Sequence, residues 1–300
     1  MTASCPLCAG VAHTSWLTRN GYALERCSTC GLIYVSPMPS PEALAAHYSD
    51  PAYFAGEVEQ GYRDYAAMHV ALRPHFLRRL RSLEATHPAR GRLLDFGCAD
   101  GYFLQLAQAR GWQVTGVELS ADMARVAAQT LNAPVFTDPA ALGAATFDAL
   151  TLWEVIEHLP DPLPQLRALY ARLRPGGTLM LSTPNTGHWQ AQRRPDLWQS
   201  YRPPSHLLYL TAPTLTLLLD AAGFTEIEVQ RTRPLPALPG WLDRLTQPLQ
   251  TSLATGQGRA WALRLYAWRL IRLAAWTAHR LLRPRDDVYV TLEARATRPG

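Results

Sequence analysis

Strand-like and helix-like patterns alternate from residue 91 to residue 233, which predicts an α/β protein with a doubly wound parallel sheet covered on both faces. Two segments strengthen that reading. Leu93-Leu94-Asp95-Phe96 is a short apolar run that reaches an acid and then two glycines four apart, Gly97 and Gly101, before a helix-like pattern starts. Gln113-Val-Thr-Gly-Val117 is a second such run, and it ends in Glu118. With 300 residues, 48% of them hydrophobic, the chain can build a large core in one or two domains.

Taken in order, strands are expected near 92–96, 113–117, 134–137, 147–152, 177–182 and 225–232, with helices between them. A seventh, beginning at Val288, follows a long helical excursion. In the first unit, the order of apolar run, glycine turn and helix start describes a buried strand feeding a helix. Glycines without side chains let a ligand lie against the backbone and the free amides of the helix end. Neighbouring parallel strands deliver their carboxyl ends to one rim, so Glu118 should stand beside the turn, placed to take a ribose diol. This is a nucleoside-cofactor pocket. A nicotinamide-dependent oxidoreductase is disfavoured, because a dinucleotide turn needs a third glycine and the chain continues instead with bulky Tyr102 and Phe103.

The turn Asp95-Phe-Gly97-Cys-Ala99-Asp-Gly101 resembles motif I of the class I S-adenosylmethionine-dependent methyltransferases, D/E-x-G-x-G-x-G, with Ala99 in place of the middle glycine. Phe147 to Pro162 and Leu173 to Asn185 resemble later motifs of that family, in the expected order. Pro204-Ser-His-Leu-Leu-Tyr-Leu-Thr211 is similar to a loop in the subgroup containing ubiquinone-pathway O-methyltransferases and sugar C-methyltransferases. The resemblance spans about residues 90 to 235. It implies a Rossmann-like seven-stranded sheet, its last strand inserted antiparallel near one edge. It also implies S-adenosylmethionine as donor and a small-molecule or lipophilic acceptor, methylated on oxygen or carbon. On this basis the backbone at Gly97, Ala99 and Gly101 holds the methionyl part, and Asp95 orients the turn or the amine. Glu118 takes the ribose hydroxyls with Leu119 beside it, Asp138 meets the adenine amino group, and Trp153 borders donor and acceptor. His158 and His206 are the candidate bases, since imidazole titrates near neutrality. A His158 that packs or caps its turn beside Glu157 is the competing reading.

Cys5, Cys8, Cys27 and Cys30 give C-x2-C-x18-C-x2-C, close to the spacing of structural four-thiolate zinc sites. A disulfide alternative needs an oxidising compartment, and the N-terminus shows no export signal, so a cytoplasmic location is expected. Residues 1–37 are similar to the zinc-ribbon N-terminus of some methyltransferases of this group. Cys98, in the glycine turn, reads as a small filler. Residues 38–90 read as a helical linker or cap, with Pro74 set to kink a helix over 60–86. The methyltransferase domain is then 91–235 plus 286–297, and 236–285 is an insertion.

That insertion is basic. Residues 250–285 carry seven arginines and no acid, while the whole chain is only +5, so the charge is local. On a helix over 259–283, Leu263, Leu270, Ile271, Ala274, Ala278 and Leu281 share a face opposite Arg264, Arg269, Arg272, Arg280 and Arg283. Such a helix is expected either to contact a membrane surface peripherally through 241–285, or to pack on the sheet with a solvated arginine face. A nucleic-acid (RNA) methyltransferase or RNA-binding protein using the zinc module and basic helix is the alternative. Leu152-Trp153-Glu154-Val155-Ile156 stands where base-amino methyltransferases usually carry an Asn/Asp-Pro-Pro-Tyr-type motif, which argues against it.

Overall fold

In the computed structural model, which describes residues 4–49, 65–234 and 261–300, the chain forms two sheets. The first begins with β1 (His13–Arg19), β2 (Tyr22–Cys27) and β3 (Ile33–Val35), an antiparallel ribbon. Two helices follow, α1 (Pro41–Ser49) and α2 (Tyr65–Thr86), the latter containing Pro74. The main domain then alternates: β4 (Arg92–Phe96), α3 (Tyr102–Gln108), β5 (Gln113–Val117), α4 (Ala121–Leu131), β6 (Val135–Phe136), β7 (Phe147–Trp153), α5 (Pro162–Arg172) and β8 (Leu173–Pro184). It continues through α6 (Trp189–Arg193), β9 (Leu208–Tyr209), α7 (Ala212–Ala221), β10 (Thr225–Pro234), α8 (Trp261–Leu282) and β11 (Tyr289–Thr297).

Seven of these strands make the Rossmann-like sheet, in the order β10-β11-β8-β7-β4-β5-β6. β4 to β8 run parallel, and β11 lies antiparallel between β8 and β10, as the final strand is expected to do. The period of two along a strand sorts side chains onto two faces. Leu94, Phe96, Leu150, Leu152, Leu179 and Leu181 line one face, and Leu93, Ala149, Trp153 and Met180 the other. The second face is covered by α2 through Phe76, Leu80 and Leu83. The last turns of α2 are tied to the sheet by charge: Arg78 and Arg79 both bind Glu293 of β11, at 2.6 Å and 3.1 Å.

The ribbon does not stand apart. β9, from the loop after β8, pairs with β3 (Ile33 opposite Tyr209, Tyr34 opposite Leu208) and completes a four-stranded sheet. Leu24, Ile33 and Tyr34 share one apolar core with Trp198, Tyr201, Leu208 and Tyr209. Nothing in the local pattern of 208–209 announces this strand, because its partner lies far away along the chain. Of the helix expected over 60–86, residues 60–64 lie outside the described residues, as do 236–260 of the insertion. Among the described residues, no helix is long and apolar enough to cross a membrane.

Candidate active site

The carboxyl ends of β4 and β5 meet at one rim. The turn after β4 is anchored there by its own amides, Gly97 and Cys98 both donating to the Val117 carbonyl at 2.7 Å and 3.0 Å. Gly97 (φ 82°) has no room for a side chain, since a Cβ would lie 2.5 Å from Val155 Cγ2. Gly101 (φ 81°) opens α3 in the left-handed region, where a β-carbon costs energy. Cys98 Sγ fills space against Gly116, where an added Cβ would sit 2.7 Å from it.

Two carboxylates face this turn. Glu118 accepts from the Ala99 amide and from the Ser120 amide, both at 2.9 Å, so its orientation is fixed by backbone. Burial pushes its carboxyl upward, and the backbone donors oppose that shift. Each oxygen retains a second lone pair. Next to it, the Leu119 side chain is 66% exposed, an apolar surface suited to lie under a flat ring. Asp95 is buried and accepts from Thr151 Oγ1 at 2.6 Å. Burial, with the Glu118 charge adding to it, raises its carboxyl to about 7. Glycine turn, diol-sized carboxylate and bare leucine together suit an adenosine bearing an amino-acid tail.

Keeping Asp95 at this rim carries a stability cost that depends on pH. Its folded pKa lies above its ordinary value of 3.8, so the folded chain holds the proton more tightly than the unfolded one. The penalty is absent below about pH 4, grows between about 4 and 7, and is complete above 7, on the order of 4 kcal/mol. Asp95→Asn is therefore expected to melt several degrees above the parent at pH 8, with the gap closing by pH 4. Melting curves that stay parallel across that range would show that Asp95 is not held as described.

The remaining expected residues fall at different places. Trp153 closes β7 with its ring edge-on to Phe103 (5.2 Å), and the buried Arg79 guanidinium lies 4.2 Å above it. Asp138 follows β6, whose Phe136 carbonyl receives the Glu118 amide, but its own side chain is exposed and caps the turn Pro139–Leu142 through the Ala140 amide. His158 and His206, 48 positions apart in the sequence, come together with ring centroids 4.8 Å apart. His206 is buried, accepts from Arg202 Nε at 3.1 Å and donates Nδ1–H to the Ser200 carbonyl at 3.0 Å. An arginine N–H can only donate, so this imidazole is neutral with both nitrogens engaged. Burial and the Arg202 charge push His158 down to about 3. Glu157 is buried beside them, accepts from Thr183 at 3.0 Å, and is held up by burial and by Glu154.

Sequence reasoning did not single out His69, Thr151 or Arg79. His69 of α2 stacks on Tyr102 at 3.7 Å and reaches Asp100 Oδ2 of the glycine turn at 2.7 Å, so α2 lies across the mouth. Thr151 could have been found by strand register, since it pairs directly with Asp95. The other two lie on a helix whose position only packing fixes.

In the ribbon, Cys5 and Cys30 sulfurs are 3.6 Å apart and Cys8 and Cys27 sulfurs 3.5 Å apart, all four lying within 4.8 Å of one another. Four thiolates about 2.3 Å from a central zinc ion would stand about 3.8 Å from each other. The donor set fits.

A model of the Methyltransferase domain family matches residues 68–229, more than half of the chain. The chain belongs to that family, and its sheet order is the class I one. Similar curated proteins include a Ubiquinone biosynthesis O-methyltransferase of Xanthomonas axonopodis pv. citri, 39% identical over 33% of this chain and 45% of that relative. The chain thus spans under half the length of the curated relatives it matches first. Among solved structures, a SAM dependent methyltransferase from Archaeoglobus fulgidus superposes with a TM-score of 0.52 at 18% identity, over 83% of this chain and 100% of that one. The Burkholderia thailandensis 1,6-didemethyltoxoflavin-N1-methyltransferase gives 0.51 at 20% identity, over 95% and 99%. Both show the fold.

Proposed function

We propose that this protein transfers the methyl group of S-adenosylmethionine to an oxygen or carbon atom of a small, lipophilic acceptor, with zinc holding the ribbon and the basic segment 241–285 bringing the enzyme to a membrane surface. The observation that carries the reading is the rim itself: a glycine turn, Glu118 fixed by two amides, exposed Leu119 and buried Asp95, all on adjacent strand ends. Relatives named for O-methylation in ubiquinone biosynthesis favour oxygen as the atom modified.

S-adenosylmethionine supplies an electrophilic methyl on a sulfonium whose thioether leaves without needing a proton. The chain's task is then to bring the acceptor in line and to exclude water. Glu118 accepts from the two ribose hydroxyls, and the amides around Ala99 hold the tail. Asp138, freed from or sharing its cap, reaches the adenine edge. Trp153, Phe103 and the Arg79–Glu293 pair form a dry wall, with His69 closing α2 onto Asp100. We assign His158 as the group that accepts a hydrogen bond from the acceptor and draws its proton as the methyl transfers; the burial that holds the imidazole neutral also makes it a weak base. His206, pinned by Ser200 and Arg202, is a positioning residue that keeps the His158 ring in place.

Offering labelled donor to lipid and metabolite extracts and, in parallel, to total RNA tests the reaction, and transfer to an organic-soluble product is expected. Label that enters only RNA would replace the small acceptor with the nucleic-acid reading. His158→Ala is expected to lower turnover about 100-fold while donor affinity by calorimetry stays unchanged. Full turnover in that variant removes His158 from the mechanism.

A further inference from the structure

A helix over 259–283 that packs on the sheet can be expected to hide its leucines; in the structure the leucines point outward, together with Arg264, Arg269, Arg280 and Arg283. α8 packs on the body through Trp268, Ile271, Arg272, Ala275, Trp276 and His279, which are half-buried or buried. His279 is held in place by Asp286 at 3.2 Å and lies against the Trp189 ring. Pointing away are Leu263, Tyr266, Leu270, Leu273 and Leu281, with exposures from 57% at Leu273 to 79% at Leu281. At 100° per residue these five fall on one stripe along the helix. Arg269 and Arg280 flank it on one side and Arg264 on the other, and no carboxylate occurs from 261 to 285.

We propose that this outward stripe of α8 docks the protein on an anionic phospholipid surface, the leucines entering the acyl boundary and the flanking arginines pairing with headgroup phosphates. The inference deepens the membrane contact proposed above and rests on that reading. An isolated exposed leucine needs no explanation, but a stripe of apolar side chains along a helix of about 33 Å does. Charge complementarity selects the occupant. A second copy of α8 would set arginines against arginines with no acid to answer them. A nucleic acid would use the arginines and leave the leucines in water. An anionic bilayer satisfies both, because the apolar stripe and its cationic borders match the depth profile of its surface. Arginines at the borders also keep the helix lying on the surface and not spanning it. Trp268 and Trp276 stay on the protein side, each under an arginine (Arg272 at 5.9 Å, Arg280 at 5.6 Å), so they brace the helix on the domain.

The test is flotation of the full-length protein with vesicles of phosphatidylcholine alone or phosphatidylcholine mixed with phosphatidylglycerol. A companion variant replaces Leu263, Leu270, Leu273 and Leu281 with glutamine, a residue that keeps helix propensity. The parent is expected to float with the anionic vesicles only, and added salt should weaken binding. The variant should bind about tenfold less or worse, with its melting temperature and its affinity for S-adenosylmethionine unchanged. The idea fails if the parent ignores anionic vesicles, or if the variant binds as well as the parent. It also fails if the variant melts several degrees lower or changes oligomeric state, since the stripe is then covered by this chain or by a second copy. Donor affinity measured on the same samples reports on the methyltransferase reading separately, so the two can fail independently.

Discussion

Glu118→Ala is expected to weaken S-adenosylmethionine binding by about two to three orders of magnitude while leaving the protein folded. A carboxylate clasping a ribose diol makes two charge-assisted hydrogen bonds, each contributing about 1.5–3 kcal/mol, and about 1.4 kcal/mol corresponds to a tenfold change. The substitution also frees the Ala99 and Ser120 amides, so the turn loses its brace at the point where the tail would bind. The fold should survive. Glu118 is a half-buried carboxylate whose pKa is pushed up by desolvation, so its removal relieves part of that cost. Glu118→Gln keeps the shape and an acceptor oxygen and should fall between the two. Calorimetric titration with the donor and with its demethylated product decides the matter. Parent-like affinity in the alanine variant would detach Glu118 from the cofactor and with it the proposed pocket.

Removing the metal from the ribbon is the second large effect. Purified protein is expected to carry one equivalent of zinc, and Cys8→Ala or a strong chelator should release it. Structural zinc contributes about 10–16 kcal/mol to folding in small modules, which have little core of their own. Here the consequence should travel beyond residues 1–37, because β3 holds β9 and the shared core includes Tyr201 and Tyr209. Hydrogen-exchange protection in β9, where Tyr209 lies opposite Ile33 of β3, should collapse. The melting temperature should drop by about 5–10 °C, since part of the core is lost and the main sheet remains. The loop carrying Arg202 and His206 would lose its anchor, so turnover should fall as well. Full exchange protection in protein shown to be metal-free would mean that the ribbon stands without zinc.

How much of this was legible beforehand follows from what local sequence encodes. The strand ends at Phe96, Val117 and Trp153 fall where apolar runs stop, and the turn at Gly97 is forced by the absence of room for a Cβ. The four cysteines likewise announce themselves by spacing, since C-x2-C pairs place two sulfurs on one turn. The environments of the expected residues were not legible. Asp138 sits in the expected loop, yet its side chain is spent on a helix cap. The sequence offers His158 and His206 singly, as bases near neutrality. In the fold they share one enclosed space with Glu157 and Arg202, and burial shifts each imidazole toward its neutral form.

By itself, the order of residues along the chain determined the parallel sheet, the glycine turn, the carboxylate that ends the neighbouring strand and the thiolate set, because each depends on a period or a spacing within a few residues. Tertiary packing alone decided that α2 closes over the mouth through His69 and Arg79, that the ribbon borrows β9 to complete its sheet, and that α8 turns its leucines outward. The physical reason is the same in each case. An amphipathic element can bury either of two faces, and which one it buries depends on the surface it meets, a surface assembled from residues far away in the chain.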